Sequence, residues 1–140
     1  MSLLEFTESE VTKFQQIDDE HKAIVEFANK LYRKYSKQKY DEFNELLKVF
    51  ISSGTKHFHT EEKYMLNNSY PNFYSHKIEH DRFTRKLIEY QEMLMDDPAV
   101  NGNVILNFIK DWFINHVAGK DKMLGEYLFK LTEENKIIGV

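Results

Sequence analysis

Apolar residues recur at alternating steps of three and four in four stretches of this sequence, and this spacing constrains the fold more than any other feature. An α-helix turns once in about 3.6 residues, so the spacing predicts helices that each bury one narrow face. We call the row of residues on that face the seam. The four seams run through residues 17–35, 43–64, 73–94 and 105–116, and a shorter one follows through Leu124, Leu128 and Leu131.

Polar and helix-breaking residues separate the four stretches. They are residues 37–39, with Asp41 as the expected N-cap of the second helix, residues 68–71, and residues 96–98 together with 101–102. Connections this short make neighbouring helices antiparallel, and four such helices close around one core. The length of 140 residues predicts one all-α domain over residues 1–140, an antiparallel up-down-up-down four-helix bundle with a short C-terminal helix.

The histidines indicate a function because they are concentrated on the seams. Five of the six lie there: His21, His57, His76, His80 and His116. Only His59 lies off its seam. An imidazole without a partner is costly in an apolar core. Five imidazoles converging from four helices could not each find a separate partner, so we predict that they share bound metal.

Spacing within two of the helices supports a shared site. Glu61 follows His57 by four residues, which places an imidazole and a carboxylate one turn apart on the same face. His80 follows His76 by the same step. Two ligands one turn apart can bind a single ion or two adjacent ions. Neither pair is specific alone, since the same spacing occurs on ordinary helix surfaces.

The last acidic candidate, Asp121, follows His116 by five residues. On a regular α-helix that step rotates by about 140°, so both side chains could not point inward. Gly119 lies between them. We therefore expect a break or distortion of the helix at Gly119 that turns Asp121 back toward the bundle centre.

The chemistry of these candidates limits the metal. The sequence has no cysteine, which excludes disulfides, thiolate zinc sites, iron–sulfur clusters and a cysteine nucleophile. Five imidazoles and two carboxylates exceed the needs of a single zinc or iron ion. They suit two six-coordinate metals that share both carboxylates and leave one position free. An imidazole–carboxylate set favours iron over copper or magnesium.

The order of these residues resembles the hemerythrin family, in its single-domain bacterial form with an HHE cation-binding domain. The family pattern is a lone histidine, then His-x-x-x-Glu, His-x-x-x-His and His-x-x-x-x-Asp. All seven positions are filled: His21, His57, Glu61, His76, His80, His116 and Asp121. Flanking residues 17–20, the Tyr70-Pro71 pair and Trp112 agree as well. The resemblance extends from about residue 14 to 131, which we take as the limits of the domain core.

The resemblance implies a di-iron centre that binds dioxygen reversibly, for storage, delivery or sensing, without enzymatic turnover. Three histidines would hold the first iron: His76, His80 and His116. The second iron would be held by His21 and His57 and would keep an open position for dioxygen. Glu61 and Asp121 would bridge the two ions together with an oxo or hydroxo group.

Two positions depart from the family pattern. The family usually has a leucine three residues before the fourth-helix histidine, over the dioxygen pocket, and this sequence has Phe113. Phe113 either fills core volume or forms a bulkier pocket wall that alters dioxygen access and autoxidation. Glu20 replaces a glutamine that commonly precedes the first ligand, and we expect this change to matter little.

Other functions remain open on the same scaffold. One is a di-iron enzyme acting on dioxygen, peroxide or nitric oxide, but oxygen-activating bundles use paired Glu-x-x-His elements, and this sequence contains none. Another is iron handling or repair of iron centres, although proteins with that activity typically carry a cysteine-bearing segment. A third is a purely structural bundle in which the histidines bind nothing.

Composition narrows the partners and the location. The net charge of −4 argues against nucleic acid, because phosphates are neutralised by basic surfaces. No stretch approaches the roughly 18 apolar residues of a membrane span. Residues 1–6 lack the basic start and apolar run of a signal peptide, so a cytoplasmic location is expected. Dioxygen is the predicted ligand, and the sequence does not specify protein partners.

Overall fold

The computed structural model describes residues 2–139, which form five α-helices. They are α1 (Gln15–Ser36), α2 (Tyr40–Asn67), α3 (Phe73–Met93), α4 (Pro98–His116) and α5 (Lys122–Glu133). These residues contain no β-strand. Among them, no helix is both long enough and apolar enough to cross a lipid bilayer. The predicted content of four long helices and a short C-terminal one is confirmed.

The four long helices pack as a closed ring. Helix α1 contacts α2 and α4, and α3 contacts the same two helices from the opposite side. The connections between consecutive helices are short, so each helix runs antiparallel to the next. The predicted up-down-up-down bundle is therefore confirmed, and its four seams face a common interior.

Two expected helix limits were wrong. Helix α2 begins at Tyr40, so Asp41 lies in its first turn rather than at the N-cap, where it still complements the helix dipole. Helix α4 begins at Pro98 after Asp97, whose side chain accepts a hydrogen bond from the Val100 amide. The expected break at residues 101–102 is absent. Proline at the first helical position and a capping aspartate start the helix earlier.

Gly102 has a packing role inside α4 rather than a role in a loop. A Cβ atom at this position would lie 2.7 Å from the ring of Tyr35, closer than non-bonded carbon atoms approach. The glycine therefore lets α4 approach the last turn of α1. The sequence signal was real, but it reported a close contact between helices and not the end of one.

Buried apolar residues form two separate clusters. The larger core contains sixteen buried residues, from Leu4 to Val117. The smaller core contains six: Ile17, Tyr64, Met65, Tyr70, Leu124 and Leu128. On α1, for example, His21 lies between Ile17 of the smaller core and Val25 of the larger one. The polar seam residues thus occupy the boundary between the two cores.

Candidate metal centre

All seven predicted site residues meet in the interior of the bundle. Helix α1 supplies one, α2 two, α3 two, α4 one, and the turn after α4 supplies the last. In chain order they are His21, His57, Glu61, His76, His80, His116 and Asp121. Every one is buried, and none exposes more than the 5% of His57. The seam positions read from the sequence therefore correspond to one place in the fold.

Within this place the residues form two overlapping groups. The first contains three histidines and both carboxylates: Glu61, His76, His80, His116 and Asp121. The second contains two histidines and the same carboxylates: His21, His57, Glu61 and Asp121. In each group, one ligand-type atom from every residue lies within 4.8 Å of all the others. The arrangement can hold two cations side by side, with Glu61 and Asp121 common to both.

A π-helical turn over Val117–Asp121 brings Asp121 into the centre. A π-helix bonds residue i to residue i+5, so it returns a side chain to the same face after five residues instead of four. Asp121 Oδ1 consequently lies 3.0 Å from His116 Nε2. The expected distortion is present. Its expected reason was wrong, because Gly119 does not have a positive φ and a Cβ there would meet no atom within 4 Å.

Five inward-facing atoms of the site lack hydrogen-bond partners. They are Nε2 of His21, His80 and His116, Oε2 of Glu61 and Oδ1 of Asp121. Imidazole and carboxylate atoms approach closely, as at 3.0 Å between His21 Nε2 and Asp121 Oδ2, yet only His76 Nε2 and Glu61 Oε1 have hydrogen-bonding geometry across the centre. Buried polar atoms without partners are costly, and cations placed between them would satisfy them. The residues therefore fit a dinuclear centre held by imidazole and carboxylate.

Three glutamates hold the outer nitrogens of three histidines. The Nδ1–Oε distances are 2.7 Å for His57–Glu20, 2.9 Å for His80–Glu62 and 2.8 Å for His116–Glu79. Each glutamate lies on the helix that precedes the one carrying its histidine. When Nδ1 donates to a carboxylate, the tautomer is fixed and the Nε2 lone pair faces the centre. Nδ1 of His21 and of His76 has no such partner.

Our sequence reasoning missed two of these outer glutamates, Glu62 and Glu79, and gave Glu20 no role. A signal was available, because each is adjacent in sequence to a predicted site residue: His21, Glu61 and His80. A side chain one position away from a seam residue is rotated by about 100° around the helix, toward a neighbouring helix. It can therefore reach a seam histidine on that neighbour.

Charge within the centre shifts the pKa values of its members. Burial opposes the charged form of His21, but the nearby carboxylates of Asp121 and Glu61 outweigh it and raise the pKa of His21 to about 9. Burial is likewise outweighed at His57, where the Glu61 charge and the Glu20 hydrogen bond raise the pKa to about 10. Burial would raise the pKa of Glu61, yet neighbouring histidines hold it well below the usual value. Without a cation His21 and His57 therefore retain protons at neutral pH, and metal binding must release them.

An apolar cavity of about 30 Å³ lies beside the two-histidine group. His21, His57 and Asp121 line it, whereas His76, His80 and His116 do not. A space of this size holds a small molecule. Phe113 also lines the cavity, and its buried ring meets the His21 ring edge-on with centroids 5.8 Å apart.

Two aromatic rings that line the cavity stack on histidines of the three-histidine group. Phe58 stacks on His80 with ring centroids 4.0 Å apart and planes 8° apart. Trp112 stacks on His116 with centroids 4.2 Å apart and planes 13° apart. The two groups thus differ in surroundings as well as in histidine count. Of the site's histidines, only His21 and His57 line the cavity.

The fold and this site together define a class of four-helix bundles with a buried histidine–carboxylate metal-binding site. The family model described as the Hemerythrin HHE cation binding domain matches residues 12–128, most of the chain. The chain therefore belongs to the hemerythrin family, as the order of its site residues predicted.

Individual relatives agree with this assignment. The chain is 30% identical over 129 residues to a bacteriohemerythrin of Methylococcus capsulatus, a match that covers 91% of this chain and 98% of that protein. It is 30% identical over 112 residues to a bacteriohemerythrin of Clostridium acetobutylicum, covering 76% and 87%. A solved structure of wild-type hemerythrin superposes with a TM-score of 0.80 at 30% identity, covering 89% of this chain and 97% of that one.

Proposed function

We propose that the chain is a non-haem di-iron protein that binds dioxygen reversibly, for storage, delivery or sensing. Three histidines would hold the first iron: His76, His80 and His116. His21 and His57 would hold the second. Glu61 and Asp121 would bridge the ions together with an oxo or hydroxo group. Family membership and the fit of the seven buried residues to two adjacent cations support this assignment.

The observation that carries the proposal is the asymmetry between the two groups. Three imidazoles, two shared carboxylates and a bridging oxygen complete six coordination positions, whereas two imidazoles leave one position free. The cavity is lined by both histidines of the two-histidine group and by none of the three histidines of the other group. The free position therefore belongs to the ion that faces the space for a small ligand. Ferrous iron, when bound, supplies the electrons that reversible dioxygen binding requires.

The protein's own residues orient and protect this site. Glu20 keeps the His57 lone pair directed at the metal position through its 2.7 Å contact with Nδ1. Apolar side chains line the cavity, among them Leu87, Ile109 and Phe113. They exclude water and hence the protons that would lead from binding to irreversible oxidation. The chain is built to keep a ligand rather than convert it.

Binding without turnover is part of the proposal. The centre holds only two carboxylates, and few anionic ligands stabilise high-valent iron less than the carboxylate-rich sites of oxygen-activating bundles do. The cavity leaves no room for an organic substrate beside a diatomic ligand. We therefore expect no catalytic consumption of dioxygen, peroxide or nitric oxide.

An oxygenation experiment tests the function. The protein is loaded with ferrous iron under argon, its iron is quantified, and visible spectra are recorded under argon, in air and again under argon. We expect two irons per chain and a visible band that appears in air and disappears on deoxygenation. Steady consumption of dioxygen or nitric oxide in the presence of a reductant would favour an enzyme instead.

Matched variants connect the result to the site. His57→Ala removes a proposed ligand, whereas His59→Ala removes an exposed histidine two residues away on the same helix. We expect His57→Ala to lose the oxygenation band and His59→Ala to keep it. Equal behaviour of the two variants would contradict the assignment of the second iron. Transfer of iron from the parent protein to a metal-free acceptor would indicate iron handling.

A further inference from the structure

Gly54 occupies the interior of α2, where a glycine destabilises a helix relative to alanine. Two usual reasons for such a glycine are missing. It does not have a positive φ, and a Cβ atom at this position would meet no atom within 4 Å. Neither backbone conformation nor close packing therefore requires glycine here. The position borders open space, and we asked what that space connects.

Two spaces meet at Gly54. On its inner side lies the cavity beside His21 and His57. On its outer side lies a surface groove of about 320 Å³ between α1 and α2. Four residues border both spaces: Ile24, Phe50, Gly54 and His57. The partition between the cavity and solvent is thus one residue thick, and at Gly54 it has no side chain.

A second thin partition exists between α2 and α3, but side chains fill it. Thr55, Phe58 and Thr84 border both the cavity and the outer groove on that side. Phe58 is buried and stacked on His80. The hydroxyls of Thr55 and Thr84 donate to carbonyl oxygens of their own helices, at 2.9 and 3.0 Å, which fixes both side chains. A third thin partition, between α3 and α4, is filled by the stacked rings of Phe83 and Trp112. The partition at Gly54 is the least obstructed of the three.

We propose that small gas molecules reach the cavity between α1 and α2 at Gly54, with Ile24 and Phe50 forming the sides of the passage. The proposal rests on the proposed function insofar as dioxygen is the gas carried. Gly54 controls how fast a ligand enters and leaves, and has no part in how tightly it is held. Its missing side chain keeps the passage open at the expense of helix stability.

A passage residue has a kinetic signature that a pocket residue lacks. Affinity is the ratio of the dissociation and association rate constants, and an obstruction met in both directions slows both equally. A side chain that intrudes on the bound ligand changes the ratio instead. Gly54→Leu obstructs the passage. Gly54→Ala obstructs it less and stabilises α2. Ser52→Leu is the control, because it places a leucine at an exposed position of α2 that borders neither space.

Stopped-flow measurement of dioxygen binding to the diferrous variants provides the first test. We expect Gly54→Leu to slow association and dissociation alike by about tenfold, which corresponds to roughly 1.4 kcal/mol in the barrier to passage. Gly54→Ala should show a smaller change in the same sense, and Ser52→Leu none. Three results would each overturn the proposal. The first is unchanged rates in Gly54→Leu, and the second is an altered dioxygen affinity in that variant. The third is slowing by Thr84→Leu but not by Gly54→Leu, which would place the passage between α2 and α3.

A second readout is independent of oxygen chemistry. Xenon occupies apolar cavities in proteins, and xenon NMR measures its exchange between cavity and solvent. In the diferric protein we expect slower xenon exchange in Gly54→Leu. In Gly54→Ala we expect the bound fraction of xenon to be unchanged. Slowed xenon exchange in a protein without an oxygenation band would retain the passage and reject the function. Normal oxygenation with unchanged xenon exchange in Gly54→Leu would retain the function and reject the passage.

Discussion

At the scale of single residues, the outer glutamates separate the two halves of the centre. Glu20 contacts the two-histidine group through His57, whereas Glu62 and Glu79 contact the three-histidine group. An ionised partner on Nδ1 increases the basicity of Nε2 and so strengthens its bond to a cation. The affinity of each half for a cation is therefore set by its own outer glutamates: Glu20 of α1 for the two-histidine group, and Glu62 of α2 with Glu79 of α3 for the three-histidine group.

Exchanging these carboxylates for amides should weaken the two halves separately. Glu20→Gln keeps a hydrogen-bond acceptor for His57 Nδ1 but loses the carboxylate charge. We expect metal binding at the two-histidine group to weaken about tenfold. Glu79→Gln should weaken the other site by a similar factor. Titration of the metal-free protein against a chromophoric chelator resolves the two steps. If both variants weakened the same step, the division of the centre would be wrong.

A substitution at Phe113 distinguishes the two interpretations of this residue, which stands where the family usually has leucine: a ring that only fills core volume, or a pocket wall that alters dioxygen access and autoxidation. Phe113→Leu removes ring atoms next to His21 and enlarges the cavity, at a stability cost of about 1 kcal/mol. Water should then enter more readily, and the oxygenated protein should autoxidise faster. The measurement is the decay of the visible band in air. An unchanged decay would mean that Phe113 only fills core volume.

The sequence predicted the seven central side chains but not the outer glutamates, and the difference has a physical cause. Residues such as His57 and Glu61 are recognised because they interrupt an apolar seam, which is a property of one helix. The contact between Glu20 and His57 depends on the lateral distance between α1 and α2. The spacing of residues along one helix gives no information about the distance between two helices.

At the scale of elements, the π-helical turn decides whether the centre is complete. It brings Asp121 to the face of His116 and sets the direction in which α5 leaves α4. The spacing of five residues predicted a distortion but could not specify its form. A broken helix and a widened turn both return Asp121 inward, and the choice depends on how Leu124 and Leu128 pack in the smaller core.

Two glycines should respond in opposite ways to substitution by alanine. Gly119→Ala adds a methyl group in open space and should raise the free energy of unfolding by up to about 1 kcal/mol, with metal content unchanged. Gly102→Ala places its methyl group against Tyr35 and should lower that free energy by about 1–3 kcal/mol. Chemical denaturation measures both. Loss of metal in Gly119→Ala would show that the turn requires glycine.

At the scale of the whole molecule, pH should act oppositely on the metal-free fold and on metal affinity. The pKa values of His21 and His57 rise from 6.5 to about 9 and about 10 on folding. Their protonation therefore stabilises the metal-free protein fully below about pH 6.5, and the stabilisation is lost as pH rises toward 10. Glu61, with its pKa lowered from 4.5, contributes stability above that pH and loses it in acid.

Metal binding should follow the opposite trend, because an imidazole must release its proton to bind a cation. Between pH 6.5 and 9, we expect the melting temperature of the metal-free protein to fall while metal affinity rises. Thermal unfolding and chelator competition across this range measure the two. Parallel trends would mean that the histidines are already neutral in the metal-free fold.

The boundary between the larger and the smaller core has a consequence for cooperativity. Sixteen apolar residues pack on one side of the buried charges and six on the other, so little direct apolar packing joins them. Proteins open locally in units that follow such discontinuities. A cation pair bound at this junction would cross-link all four long helices and make the bundle one folding unit. In the metal-free protein we expect the end containing Leu124 and Leu128 to open as a separate unit, whose amides exchange with solvent before the rest of the bundle unfolds.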